Sequence, residues 1–340
     1  MNFDFTDDQQ AIKSTAHDFL GARFKPEKVR ELAESGEYDS SLWDEMSELG
    51  WPGIFVSEEH GGQGLGVLEL VILTEELGYV AAPSPFLSNA AAGLMLQFAG
   101  SAEQQSSWLP GVGSGASLGT LGVVAADGSA PLVPDAELAS FIVLVDGDSA
   151  VVAPRDSLSV ERVDTIDDTR PYSRVSAPSG AGEPLPGDVA GALDRVAVAL
   201  SAELVGLAQR TLDMAVEYAK DRQQFGRPIG AYQAVSHNCA QMMMETESAR
   251  SLVLYAAWAA DHEPESLPVA ASMAKAYASD AGFRVPARSL QVHGGIGFTW
   301  EHDLHFFLKR GKTGAHLFGT AREHRERVAE LTGLSAAASA

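Results

Sequence analysis

The sequence predicts a mainly α protein with a small β domain at its centre. Three observations carry this. Apolar residues recur at helical spacing towards both ends of the chain. The stretch between them alternates or runs β-branched, with turn signals. The 340 residues are 45% hydrophobic and 21% charged, ordinary globular proportions with ample material for a core.

The elements follow in order. A first helical region, 1–110, opens on Thr6-Asp7-Asp8-Gln9, a capping-box pattern ahead of an apolar-periodic segment. Helical stretches follow at 41–48, 67–77 and 91–98, and a Gly-rich loop at 61–66 separates two of them. A β region, 111–186, carries the β-branched runs 141–145 and 150–153, with turns at Asp127-Gly128 and Asp146-Gly147. This region contains neither lysine nor tryptophan. In the helical region 187–334, Leu193, Val196, Ala197, Leu200, Leu204, Leu207 and Ala208 share one helical face. Long helices are expected through Lys220, from Tyr232 to Ala260, and from Pro268 to His293. The Ala-rich residues 335–340 are expected to fray.

Charge narrows the function. A formal net charge of −22 disfavours nucleic-acid and anionic-membrane partners, which need a basic face. No apolar run reaches membrane-spanning length. The acidic N-terminus lacks the order of a signal peptide, and the single Cys239 fits a reducing cytoplasm, so a soluble cytoplasmic protein is expected.

Four groups of residues carry possible chemistry. In 222–229 (Arg-Gln-Gln-Phe-Gly-Arg-Pro-Ile), followed by Tyr232-Gln233, Arg222 either grips a phosphate or complements a helix C-terminus. In 291–298, glycines after a helix either admit a pyrophosphate to the backbone or form a C-cap at Gly294. In Phe318-Gly319-Thr320-Ala321-Arg322, Thr320 either caps a helix or bonds a phosphate. Glu301-His302-Asp303 with His305 reads as a polar helix start rather than a metal site.

The order and spacing of these segments resemble the acyl-CoA dehydrogenase family. They match its R-x-x-F-G-x-P-I loop, its aromatic-Gln pair, its Q-x-x-G-G-x-G segment and, apart from its Glu, its terminal E-G-T segment. Leu49-Gly50-Trp51, the 58–66 loop and Glu75-Glu76-Leu77-Gly78 resemble the family's N-terminal domain. The resemblance covers nearly the whole chain. It implies an N-terminal helical domain, a central β domain and a C-terminal four-helix bundle. It also implies FAD shared between subunits. Arg222, Gln233 and 291–295, including Gln291, Gly294 and Gly295, would reach the adenine-pyrophosphate part of a neighbour's flavin. Phe225 would pack beside it, and Thr320 and Arg322 would contact it from the terminal segment.

The chain departs from the family where the chemistry lies. The family reaction takes a proton from the carbon alpha to a thioester and a hydride from the beta carbon, so it needs a positioned carboxylate base. The usual base position holds Phe318, and the alternative helical position holds Val196, with Ala197 beside it. Glu203, seven residues after Val196, is the low-ranking substitute; its other reading is a buried Glu paired with a basic residue. The hairpin that holds the isoalloxazine ring in the family has no room between Gly119 and Val133, whereas Val133-Pro134-Asp135 and Asp167-Asp168-Thr169-Arg170 still match. This pattern is similar to the smaller subunits of actinobacterial sterol side-chain acyl-CoA dehydrogenases. It implies a heterotetramer with a larger acyl-CoA dehydrogenase subunit, an acyl-CoA substrate and electron-transfer flavoprotein as acceptor. The alternatives are a self-sufficient homo-oligomer using Glu203 and a non-catalytic structural protein on the same fold.

Overall fold

The computed structural model describes residues 4–178 and 180–334. The expected tail at 335–340 lies outside the described residues. Six helices come first: α1 (Asp7–Arg23), α2 (Pro26–Ser35), α3 (Ser40–Glu48), α4 (Val67–Tyr79), α5 (Phe86–Ala99) and α6 (Ala102–Gly113). The Thr6 capping box forms, with Thr6 accepting from the Gln9 amide and Gln9 returning to the Thr6 amide. Helix α6 runs through Pro110 to Gly113, three residues past the expected end of the first helical region.

Seven strands follow: β1 (Gly119–Val123), β2 (Ser129–Pro134), β3 (Phe141–Asp146), β4 (Ser149–Pro154), β5 (Ser159–Val163), β6 (Tyr172–Ser176) and β7 (Glu183–Pro184). They form one sheet in the order β1-β3-β4-β7 and a second in the order β2-β6-β5. Strand β3 shows why the sheets sit where they do. Its side chains alternate faces, so Phe141, Val143 and Val145 join the main core while Ile142 and Leu144 pack the small β core.

The last third holds α7 (Val189–Asp221), a short hairpin of β8 (Gln223–Gln224) and β9 (Arg227–Pro228), α8 (Gln233–His262), α9 (Leu267–His293), α10 (Leu304–Gly314) and α11 (Ala321–Leu331). Helix α7 is the axis of the molecule and packs against α4, α5, α8 and α9. Its crossing with α4 is possible because both helices place glycine at the contact. A Cβ on Gly206 would lie 2.0 Å from the Glu75 carbonyl oxygen, and one on Gly78 would lie 2.2 Å from that of Glu203. No helix of the described residues is long and apolar enough to cross a membrane.

Candidate active site and flavin-facing surfaces

The sequence singles out residues that the fold distributes over two places. The first is the end of the bundle where α7 and α9 terminate. Leu212, Ala215 and Ala219 of α7 share a small apolar cluster with Val285 and Val292 of α9 and Met242 of α8. That cluster brings the Arg222 turn and the Gly294 segment to the same end. His293 ties them further: its ring stacks on Tyr218 at 4.6 Å, and its Nδ1 lies 2.8 Å from the Ser289 carbonyl.

The Arg222 turn is built to project. Phe225 (φ +53°) and Gly226 (φ +78°) turn the β8–β9 hairpin, leaving Phe225 92% exposed. The Ile229 amide donates to the Arg222 carbonyl at 2.8 Å, and Arg227 lies over the Tyr232 ring at 4.1 Å. Arg222 itself is exposed and has no ion pair among the described residues. Gln233 starts α8 beside this turn and Gln291 sits near the end of α9, both exposed. Gly294 (φ +63°) ends α9, and nothing lies within 4 Å of a Cβ built on Gly294 or Gly295. Gly294 caps the helix, and the backbone of Gly294 and Gly295 is left uncovered.

The second place is a cleft of about 700 Å³ between the β domain and the C-terminal helices. Val123, Val124 and Leu132 form one wall, and Leu193, Phe318 and Thr320 form part of the other. Only residues 124–128 join β1 to β2, closed by the Ala125 amide on the Ser129 carbonyl at 2.8 Å. No ring-holding hairpin intervenes between these strands.

Phe318 stands in the cleft wall with φ +54°, a left-handed conformation that is strained for an aromatic residue. Buried groups clamp its loop. His324 Nε2 lies 2.9 Å from the Phe318 carbonyl. Lys275 Nζ donates to the Gly319 carbonyl at 2.9 Å, to Ser279 Oγ at 2.8 Å and to the Ala315 carbonyl at 3.4 Å. Burial pushes the Lys275 ammonium down to about 7. Unfolded lysine titrates near 10.4, so between these values the unfolded chain binds the extra proton and this group makes stability rise with pH. Lys275→Met is expected to remove that rise; urea midpoints taken at about pH 7 and about pH 9 measure it, and a slope unchanged in the variant would refute the assignment.

Thr320 caps α11, accepting from the Glu323 amide at 3.3 Å and donating to the Glu323 carboxylate at 2.8 Å. Arg322 is exposed and paired with Glu326 at 3.0 Å. These two do not join Arg222 and Gly294. Lys275, under the Gly319 loop, and Gln291 are sixteen residues apart on α9, about 24 Å at helical rise. The residues expected around one flavin therefore divide into two surfaces of this chain.

The alternative base positions are closed. Val196 is fully buried and Ala197 nearly so. Glu203 does not line the cleft. Its carboxylate lies at a buried junction of the three regions, where Arg170 reaches it at 2.6 and 3.2 Å and Arg310 at 2.6 Å. Arg310 also donates to the Ala82 carbonyl at 2.8 Å, and Asp135 next to them accepts from Ser88. Burial alone would raise the Glu203 pKa; the two guanidiniums outweigh it and hold the carboxyl at about 2. This geometry is that of the other reading of Glu203, a buried Glu paired with basic residues: a carboxylate claimed by two arginines and absent from the cleft lining is poorly suited to proton abstraction. His302 and His305 face rings: His302 lies edge-on to His293, and His305 stacks on Trp300.

The comparisons agree with this architecture. Residues 6–116 match the acyl-CoA dehydrogenase N-terminal domain, and residues 188–332 match the acyl-CoA dehydrogenase C-terminal domain. Among curated proteins the chain is similar to acyl-CoA dehydrogenase IpdE2 of Mycolicibacterium smegmatis, 32% identical over 95% of this chain and 98% of that protein. IpdE2 of Mycobacterium tuberculosis is 34% identical over 95% and 96%. Among solved structures the fold superposes on the Tcur3481-Tcur3483 steroid ACAD G363A variant with a TM-score of 0.87 and 27% identity, covering 96% of this chain and 98% of that one. With both terminal domains matched and relatives aligned along almost the whole chain, the protein belongs to the acyl-CoA dehydrogenase family, whose cofactor is FAD.

Proposed function

We propose that this chain is a subunit of an FAD-dependent acyl-CoA dehydrogenase that contributes part of the flavin site while an unlike, larger partner supplies the catalytic base. The observation that carries this is Phe318 in the cleft wall, at the terminal-segment position where the family places a carboxylate. The helical alternative is buried Val196, and Glu203 is locked away. When bound, FAD takes the hydride from the beta carbon of the acyl thioester. What this chain offers is support. Arg222 and Arg227, without an ion pair among the described residues, are suited to a pyrophosphate, and the Gly294-Gly295 backbone is open at the same end of the bundle. Gln233 and Gln291 are exposed at the same end, where they can reach an adenine, with Phe225 projecting to cover it. Thr320 and Arg322 belong to the cleft-side surface and serve a separate part of the assembly.

One structural neighbour, the Tcur3481-Tcur3483 steroid ACAD variant, carries two components and a steroid class in its name. It supports a heteromeric assembly and a sterol-derived acyl-CoA for this chain; the likeness to the caffeyl-CoA reductase-Etf complex subunit CarC of Acetobacterium woodii supports electron-transfer flavoprotein as the acceptor. The test is the flavin spectrum and mass of the chain purified alone and after co-expression with a larger homologue. A flavin-poor lone chain and a yellow, active heteromer are expected. A stoichiometrically yellow, active homo-oligomer would overturn the proposal.

A further inference from the structure

A second cavity, of about 200 Å³, lies between α1, α2, the end of α4, α7 and α10, and its lining shares no residue with the cleft. Phe24, Val29, Val80, Met214, Phe306 and Phe307 make its walls apolar. Four polar side chains border it: His17, Tyr79, Arg210 and Asp303.

Three of these are already engaged. His17 Nδ1 lies 2.9 Å from the Glu76 carboxylate. The Tyr79 hydroxyl donates to Asp213 at 3.0 Å, and Asp303 accepts from Arg30 at 2.6 Å. Asp213, three residues beyond Arg210 on α7, is also held by the Gln209 amide at 2.8 Å. Arg210 has no carboxylate partner. Its guanidinium lies over the Tyr79 ring at 5.4 Å and its donors are also directed to the Tyr79 hydroxyl, but it is within ion-pair distance of no carboxylate among the described residues. Only Arg210, Arg222 and Arg227 among the described arginines have neither an ion pair nor a carbonyl partner. In a chain with 46 Asp and Glu against 24 Lys and Arg, a guanidinium without a carboxylate is unusual. Arg222 and Arg227 are exposed, whereas Arg210 is half-buried at an apolar cavity, where a charge without a counter-ion is costly.

We infer that this cavity binds a small monocarboxylate with an apolar tail, its head on Arg210 and its tail among Phe24, Met214 and Phe307. A carboxylate matches the paired donors of a guanidinium, and the six apolar walls leave no further polar partner for the tail. The volume falls below the roughly 300 Å³ at which sites for drug-sized ligands begin, which excludes a nucleotide or a whole CoA thioester. Gly21 on α1 belongs to the lining, and a Cβ there meets nothing within 4 Å, so part of the space exists because that side chain is missing.

The experiment is calorimetric titration of the full chain with octanoate and, separately, with 1-octanol. Octanoate is expected to bind at least about tenfold more tightly than the alcohol, the loss of one charge-assisted pair. Arg210→Met should remove that preference, and Gly21→Leu, which fills the space while favouring the helix, should abolish binding of both. Equal binding of the two probes, or octanoate bound by Gly21→Leu as by the unaltered chain, would overturn the inference; the latter would place the ligand in the larger cleft. The site is independent of the subunit reading, so failure here leaves the flavin experiment untouched.

Discussion

Replacing Glu203 by glutamine is expected to destabilise the fold by about 3–5 kcal/mol, the cost of breaking a buried ion pair from one side. The carboxylate is the shared counter-ion of Arg170 and Arg310, all three almost completely buried. Glutamine is the right size, but it brings two donors to a place that offers donors already and leaves both guanidiniums without their shared anion. The loss reaches all three regions, because Arg170 belongs to the β region and Arg310 also holds the Ala81 and Ala82 carbonyls of the loop between α4 and α5. Urea unfolding monitored by circular dichroism measures it. A midpoint within error of the unaltered chain would refute the junction role. Were Glu203 the base instead, the same variant would keep its stability and lose only turnover.

The junction also sets an acid response whose sign can be worked out. Glu203 is held at about 2, below its unfolded value near 4.3, so its stabilisation is complete above that value and is lost as pH falls from about 4 towards 2. Asp135 moves the other way. Burial dominates and pushes it up to about 6, despite Arg170 and Ser88. Between about 6 and 4 the folded chain holds a proton on Asp135 that the unfolded chain does not, so this group makes stability rise as pH falls through that window. Asp167 is raised by the same burial and acts in the same direction. The part of the urea midpoint due to Asp135, the difference between the unaltered chain and Asp135→Asn, is therefore expected to be larger near pH 5 than near pH 7, while the lowered histidines His293 and His324 act the other way. Midpoints should fall steeply below about pH 4, and Asp135→Asn should leave that fall in place.

Arg222→Ala carries the second large effect, on cofactor rather than on fold. The side chain is exposed and makes no ion pair among the described residues, so its removal leaves urea stability unchanged. In the assembled enzyme a guanidinium on a pyrophosphate is a charge-assisted, bidentate contact. Its loss should weaken FAD retention about ten- to a hundredfold. The measurement is flavin absorbance per complex after exhaustive dialysis, read beside the unfolding midpoint. Full flavin occupancy in the variant would separate Arg222 from the cofactor. A parallel drop in stability would mean the turn has a structural role that its exposure does not suggest.

The sequence by itself determined whatever depends on residues a few positions apart. The Thr6 and Thr320 capping boxes, the Gly294 helix end and the β3–β4 turn at Asp146-Gly147 are short-range hydrogen-bonding choices, legible from spacing. The long helices were legible too, because an apolar stripe of period 3.6 must be buried. The missing carboxylates were legible as residue types: Phe318 and Val196 cannot take a proton however the chain folds.

The tertiary structure alone decided which charges meet. Glu203 pairs with arginines 33 and 107 residues away, and Lys275 reaches a carbonyl 44 residues away. No local pattern encodes those distances. They follow from the glycine-permitted crossing of α4 over α7 and from the packing of α10 and α9 around the same axis. The same geometry divides the residues proposed to face the flavin between two surfaces, since the length of α9 keeps the Gly294 end from the Thr320 loop. It also leaves Arg210 without an anion, because Asp213 and Asp303 are taken by Tyr79 and Arg30. A residue's chemistry is written in its type; its partner is set by the fold, because an ion pair needs an approach of a few ångströms that only packed elements can fix.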